Sequence, residues 1–249
     1  EYFPSKNHTE IMLKYMGADI EVKKKNKKNI IKLKSPSFLK SKDINVPGDF
    51  SSASFLIVSA LLTEDSHLVV KNVGLNFFRI GLIDILVKMN ANIKVINQRF
   101  LNGEMVGDIE VFYSKLKGVK VDKSMVTRLI DEYPILFVAA SFSQGTSVFL
   151  GLEELKFKES DRLVTMTRAL RDAGVDLKTG KESLKIFGQK TQKGGNFVGT
   201  KNDHRIAMSM IVFGLVSENP IVIDDSKIIN TSFPDFYEQM KKIGAKIEF

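Results

Sequence analysis

Four times in 249 residues a short helix pattern runs into glycine or asparagine and then into an alternating strand pattern. The helices read Ile11 to Met16, Ile83 to Met89, Leu163 to Asp172 and Phe236 to Ile243. The punctuating residues are Gly17, Asn90, Gly174 and Gly244, 73, 84 and 70 positions apart. The strand patterns after them are Ile20-Glu21-Val22, Ile93-Lys94-Val95, Val175-Asp176-Leu177 and Ile247-Glu248-Phe249. A residue just past a helix end commonly turns left-handed, which Gly and Asn tolerate best. A repeat of this size is a supersecondary unit that must stack on its copies to bury its apolar face.

A second pattern alternates with the first. Asp49, Asp131 and Asp203 each open a helix rich in small and apolar residues, followed by a β-branched strand at Leu68-Val69-Val70, Ser147 to Leu150 and Ile221-Val222-Ile223. The unit is helix, strand, helix, strand, strand, about 75 residues long, and three fit in the chain. Alanine and serine on an apolar helix predict close packing in an interior, so each unit has one buried helix with its acidic start at a shared end. A boundary is expected at Val46-Pro47-Gly48, between a helix plus hairpin (residues 1–46) and the three units (47–249). The run Lys23 to Lys28 reads as the solvated turn of that hairpin.

At 43% hydrophobic the chain can bury a core, yet its longest apolar run, Phe55 to Leu62, is far too short to span a membrane. No secretory leader is visible, and Glu1-Tyr2-Phe3-Pro4 reads as mid-chain sequence. With no cysteine and only His8, His67 and His204 as histidines, thiolate and histidine metal sites are excluded by composition and spacing, and a cytoplasmic location is expected. The net charge of +8 favours anionic partners.

Charge is most concentrated in Lys158-Glu159-Ser160-Asp161-Arg162. Ser160 or Asp161 can cap the helix that follows, whose apolar stripe is Leu163, Met166, Leu170 and Ala173. Lys158, Glu159 and Arg162 can share one side of its first turn, which makes an anion seat with a carboxyl inside the cationic field. By charge pattern alone this reads more readily as a surface helix start laced with salt bridges. Asn202-Asp203-His204-Arg205 makes a second such start, and Ile130-Asp131-Glu132 places a carboxylate at the same end, where Asp131 also fits an N-cap.

Lys158-Glu159-Ser160-Asp161-Arg162-Leu163, Asn202-Asp203-His204-Arg205-Ile206-Ala207-Met208 and Pro47-Gly48-Asp49-Phe50-Ser51-Ser52-Ala53, in that spacing, resemble the 5-enolpyruvylshikimate-3-phosphate synthase family. Ser5 to Glu10 and Thr231-Ser232-Phe233-Pro234-Asp235 extend the resemblance to both ends. It implies an α/β fold of repeated βαβαββ units around parallel inner helices whose N-termini face a cleft. It also implies that this chain is the C-terminal part: the tail of one domain, then a second domain of three units. The N-terminal half would then be a required partner, and the chain alone is expected to be inactive.

The activity implied is transfer of the enolpyruvyl group of phosphoenolpyruvate to the 5-hydroxyl of shikimate 3-phosphate, with no metal or organic cofactor, by a monomer when full length. Residue by residue, the resemblance makes Asp131 the proton acceptor at the hydroxyl and Glu159 the proton shuttle, with His204 secondary. It makes Arg162 and Arg205 the phosphoenolpyruvate clamp, Lys158, Ser5 and Lys6 contacts to shikimate 3-phosphate, and Asp203 part of the same helix start. Thr231 departs from the pattern, because many members carry Lys there. Two rivals are a sibling enolpyruvyl transferase acting on a UDP-sugar and a basic RNA-binding module. The second lacks aromatic stacking motifs and any recognition-helix signature.

Overall fold

The computed structural model describes residues 4–26, 28–35 and 38–248. It begins with α1 (His8–Tyr15) and a hairpin of β1 (Ile20–Lys25) and β2 (Lys28–Leu33). The first repeat is α2 (Phe50–Leu62), β3 (His67–Gly74), α3 (Gly81–Lys88), β4 (Asn92–Leu101) and β5 (Glu104–Phe112). The second is β6 (Lys120–Val121), α4 (Val126–Leu129), α5 (Tyr133–Ser141), β7 (Gly145–Leu150), α6 (Arg162–Asp172), β8 (Asp176–Thr179) and β9 (Ser183–Gly188). The third is β10 (Phe197–Val198), α7 (His204–Val216), β11 (Val222–Ile223) and α8 (Phe236–Lys242).

Each repeat closes a short parallel pairing across its inner helix: Gly48 with Val73 around α2, β6 with β7 around α5, and β10 with β11 around α7. In the first two repeats an antiparallel hairpin completes the sheet, giving the orders β3-β5-β4 and β6-β7-β9-β8. The strand expected at the C-terminus is not formed over Ala245–Glu248, and Phe249 lies outside the described residues. Just past the expected boundary at 46/47, the first sheet begins. Gly48 is already part of the first sheet, donating to Asn72 O at 2.7 Å and accepting from Gly74 N at 2.9 Å.

All four punctuating residues are left-handed, with φ of 96° at Gly17, 72° at Asn90, 90° at Gly174 and 97° at Gly244. The amide after each reaches back five residues, Ala18 to Leu13, Ala91 to Leu86, Val175 to Leu170 and Ala245 to Met240. This is the Schellman closure, which satisfies the carbonyls a helix end leaves free. The lysine run is strand more than turn: Lys23 to Lys25 continue β1 and Lys28 opens β2, with Asn26 left-handed at φ 51°. Lys27 lies outside the described residues.

The inner helices α2, α5 and α7 pack on one another. Every residue of α5 is buried, and α2 and α7 are buried on most sides. Apolar and small residues all round leave such helices no stable place at the surface. The outer helix α6 is one-sided: Leu163, Met166 and Leu170 face in, while Val164, Arg168 and Asp172 face out. Phe137 is central, with Tyr133 and Phe149 rings at 5.6 and 5.0 Å. Truncating a buried aromatic of this kind costs about 3–5 kcal/mol. The core therefore fixes where the three inner N-termini meet.

Candidate active site

The starts of α2, α5, α6 and α7 converge. Asp49 caps α2 by accepting from Ser52 N at 2.8 Å, Asp161 caps α6 through Val164 N at 3.0 Å, and Asp203 caps α7 through Arg205 N at 3.0 Å. Asp131 does not cap α5. The N-cap position there belongs to Glu132, which makes no side-chain cap bond. The carboxylate of Asp131 is instead turned toward the cations.

Arg162 is the hub. Its side chain has no solvent exposure, although it is the first residue of α6. Its Nε donates to Asp203 Oδ2 at 2.8 Å, its Nη2 bonds Glu159, and its Nη1 lies 3.6 Å from Asp131 Oδ1. A guanidinium carries five donors in a rigid fork, so one side chain can tie three carboxylates from three segments. Asp203 is equally buried and also accepts from Ser160 Oγ at 3.0 Å. It holds Arg162, Ser160 and the Arg205 amide together, as a scaffold does. Ser160 serves that scaffold and is not the cap of α6.

Asp131 gathers cations from distant parts of the chain. Lys6 Nζ reaches Oδ2 at 2.6 Å across 125 positions, and Lys158 Nζ lies 3.9 Å from Oδ1. Ser5 precedes Lys6 at the surface. Burial pushes the Asp131 carboxyl up, but Arg205, Lys6 and Lys158 outweigh it and hold the group well below the usual carboxylate range. Asp131 therefore stays ionised. Glu159 is more open, with 46% of its side chain exposed, and its Arg162 contact is the only pairing on its side of the hub among the described residues.

At the start of α7, burial is the main cause that pushes His204 below its ordinary value, aided by Arg205 and Arg162 and opposed by Asp203 and Glu159. Its ring is neutral at pH 7. Arg205 Nη1 donates to the Asp131 carbonyl at 3.3 Å. Arg162 Nη1 and Arg205 Nε are both buried and have no hydrogen-bond partner among the described residues. Two cationic donors left open beside an ionised carboxylate form a seat for an incoming anion, because buried donors are otherwise paired.

The structure thus brings Lys6, Asp131, Lys158, Glu159, Arg162, Asp203, His204 and Arg205 together, with Ser5 at the edge. Sequence reasoning missed Glu132, 3% exposed, which accepts from Ser51 Oγ. The signal was a second carboxylate beside Asp131 at the start of a wholly apolar helix. Hollows of about 770, 560 and 490 Å³ lie away from this cluster, lined by Leu62, Phe142 and Leu215 in the first, Ile211, Ile221 and Tyr237 in the second and Ser59, Met240 and Gly214 in the third. Size does not mark the site here; the charge cluster does.

Comparison with known proteins gives the same direction. The family model described as EPSP synthase (3-phosphoshikimate 1-carboxyvinyltransferase) matches residues 2–240. The 3-phosphoshikimate 1-carboxyvinyltransferase of Bartonella tribocorum is 47% identical over 246 residues, covering 98% of this chain and 56% of that protein. The enzyme of the same name from Pseudomonas sp. strain PG2982 is 47% identical over 247 residues, covering 98% and 55%. Among solved structures, EPSP synthase from Acinetobacter baumannii superposes with a TM-score of 0.90 at 37% identity, over 98% of this chain and 56% of that one. The enolpyruvyl transferase NikO from Streptomyces tendae shares the fold, with a TM-score of 0.71 at 16% identity, covering 99% and 55%. The chain spans about half the length of the curated relatives it matches. A match running through both charged helix starts and nearly the whole sequence establishes that the chain belongs to the EPSP synthase family.

Proposed function

We propose that the full-length protein transfers the enolpyruvyl group of phosphoenolpyruvate to the 5-hydroxyl of shikimate 3-phosphate and releases phosphate. The observation that carries this is the pair of open guanidinium donors, Arg162 Nη1 and Arg205 Nε, beside the ionised Asp131. Two forked cations suit a substrate bearing both a carboxylate and a phosphate better than ammonium groups would. The carboxylate between them supplies the base that an attacking hydroxyl needs.

The chemistry follows in two steps. Asp131 takes the proton from the hydroxyl as its oxygen bonds to C2 of phosphoenolpyruvate, and Glu159 gives a proton to the methylene carbon, forming a tetrahedral ketal phosphate. Glu159 then removes a proton from the new methyl group while the C2–O bond to phosphate breaks. The hydroxyl proton leaves with phosphate, which restores Asp131. Arg162 and Arg205 stabilise the charge on phosphate and carboxylate as the bonds change. Lys158, Lys6 and Ser5 hold shikimate 3-phosphate, Asp203 holds Arg162, and His204 is the second candidate for proton transfer.

The protein is proposed to act in the cytoplasm as a monomer. No helix among the described residues is long and apolar enough to cross a membrane. The family match does not favour a UDP-sugar transferase or an RNA-binding module. Phosphate release by the full-length protein tests the reading. Release should require phosphoenolpyruvate and shikimate 3-phosphate together. Release with UDP-N-acetylglucosamine in place of shikimate 3-phosphate, or a melting temperature raised by RNA and not by the two substrates, overturns it.

A further inference from the structure

Glu132 has no part in the chemistry above, yet it is a carboxyl buried to 3% exposure at the start of an apolar helix. An unpaired buried carboxylate is costly, so its partners are informative. Ser51 Oγ, on α2, donates to Glu132 Oε1. Arg79, ahead of α3, donates from Nη2 to Ser51 Oγ at 2.9 Å and to Asp49 Oδ1 at 2.7 Å. Arginine can only donate, so the Ser51 hydroxyl accepts from Arg79 and turns its own proton to Glu132. The chain has one polarity, and it ends on an oxygen of Glu132 that carries no proton.

Arg205 reaches from α7 to the carbonyl of Asp131, the residue next to Glu132, and its charge favours the ionised form of the Glu132 carboxyl. We propose that Glu132 is a positioning residue for Arg205: ionised, and anchored by Ser51 and Arg79, it is the counter-charge that holds the guanidinium at the Asp131 end of the anion site. The inference rests on the enolpyruvyl-transfer reading for the identity of the anion, phosphoenolpyruvate.

The charged groups facing Glu132 are Arg205 from α7, Arg79 from the segment before α3 and Asp131 beside it. Burial is the largest influence and lifts the carboxyl to about 6, with Asp131 adding to it and Ser51, Arg205 and Arg79 opposing it. Protonation near that pH, on the oxygen that Ser51 does not bond, removes the counter-charge. Glutamine has the shape of the protonated form, so Glu132→Gln should imitate acid at every pH.

The test is the affinity of the full-length protein for phosphoenolpyruvate, measured by titration calorimetry from pH 5 to 8 in wild type and Glu132→Gln. Titration of the ligand's own phosphate cancels in the ratio of the two dissociation constants. The ratio should be near one below pH 6 and rise to about tenfold above it, within the usual range for coupled sites. Ser51→Ala removes a donor that lowers the Glu132 pKa, so it should move the step to higher pH. In turnover the Gln variant should raise KM and leave kcat within about twofold, as loss of uniform binding does. A ratio independent of pH, or a step that Ser51→Ala leaves in place, overturns the inference, even if Glu132→Gln lowers the melting temperature. Failure of the wild type to release phosphate from the two substrates would instead overturn the underlying reading, which the calorimetric ratio does not depend on.

Discussion

Arg162 Nε meets Asp203 Oδ2 at 2.8 Å, and neither side chain touches solvent. The pair joins the first residue of α6 to the cap of α7, so two helix starts that carry the site's cations share one fixed point. Breaking a buried ion pair on one side leaves the other charge stranded, which costs more than the pair itself contributes.

Arg162→Lys should therefore do two things. Lysine keeps the charge but cannot span Asp203, Glu159 and Asp131 together, so stability should fall by about 3 kcal/mol. The value of kcat/KM for phosphoenolpyruvate should fall by roughly a hundredfold or more in the full-length enzyme, because the fork is lost. Urea unfolding and steady-state kinetics measure the two effects, and a variant with normal kcat/KM would remove Arg162 from the anion site.

Asp131 predicts a pH signature. Its folded-state pKa is depressed, so the stability from its ion pairs is fully present above the unfolded value and is lost as pH falls through the folded one. Asp131→Asn should be less stable than wild type at pH 7 by on the order of 2–3 kcal/mol. The gap should narrow only below about pH 4, where unfolded chains begin to take up the proton. Denaturant midpoints at pH 7 and pH 2.5 check this; a gap of equal size at both would mean that Asp131 is not the stabilised anion.

The turn before α7 is held in a costly shape. Lys201 and Asn202 are both left-handed, with φ of 56° and 57°, and Thr200 N donates to both oxygens of Asp224 at 3.0 Å. Asparagine tolerates this region, and lysine does so at a cost of roughly 1 kcal/mol that glycine does not incur. Lys201→Gly should raise stability by about that amount, and Asp224→Ala should lower it while weakening the α7 anion site. A destabilised Lys201→Gly protein would contradict the turn geometry.

Much of this architecture was legible because period and punctuation are local. Gly17, Asn90, Gly174 and Gly244 each announce a helix end by what their own backbone can do, and all four close as such ends do. Wholly apolar inner helices such as α5 were likewise visible, since no exposed face could hold their residues. What the sequence concealed depends on contacts between distant segments. That Asp131 meets Lys6 across 125 positions, and points to cations instead of capping α5, follows from packing alone. The buried state of Arg162 was hidden for the same reason: charged residues at a helix start are usually solvated, and burial here depends on Asp203 from another repeat together with Asp131 and Glu159. The short final segment, alternating like a strand over Ala245–Glu248, finds no pairing partner among the described residues, and pairing is what makes a strand.

Asp131 and Glu159 lie on opposite sides of Arg162, one held by four cations and the other half exposed. In the proposed reaction the ionised Asp131 accepts the hydroxyl proton, and the more open Glu159 carries the proton at the methylene carbon. The most direct test of this division is a rapid-quench, single-turnover measurement on the full-length Glu159→Gln variant with both substrates saturating. Formation and breakdown of the tetrahedral intermediate should both slow, with substrate affinity within about threefold of wild type, since the amide keeps the shape but cannot carry the proton. Normal single-turnover rates at saturation, with affinity alone reduced, would contradict it and move the proton shuttle to His204.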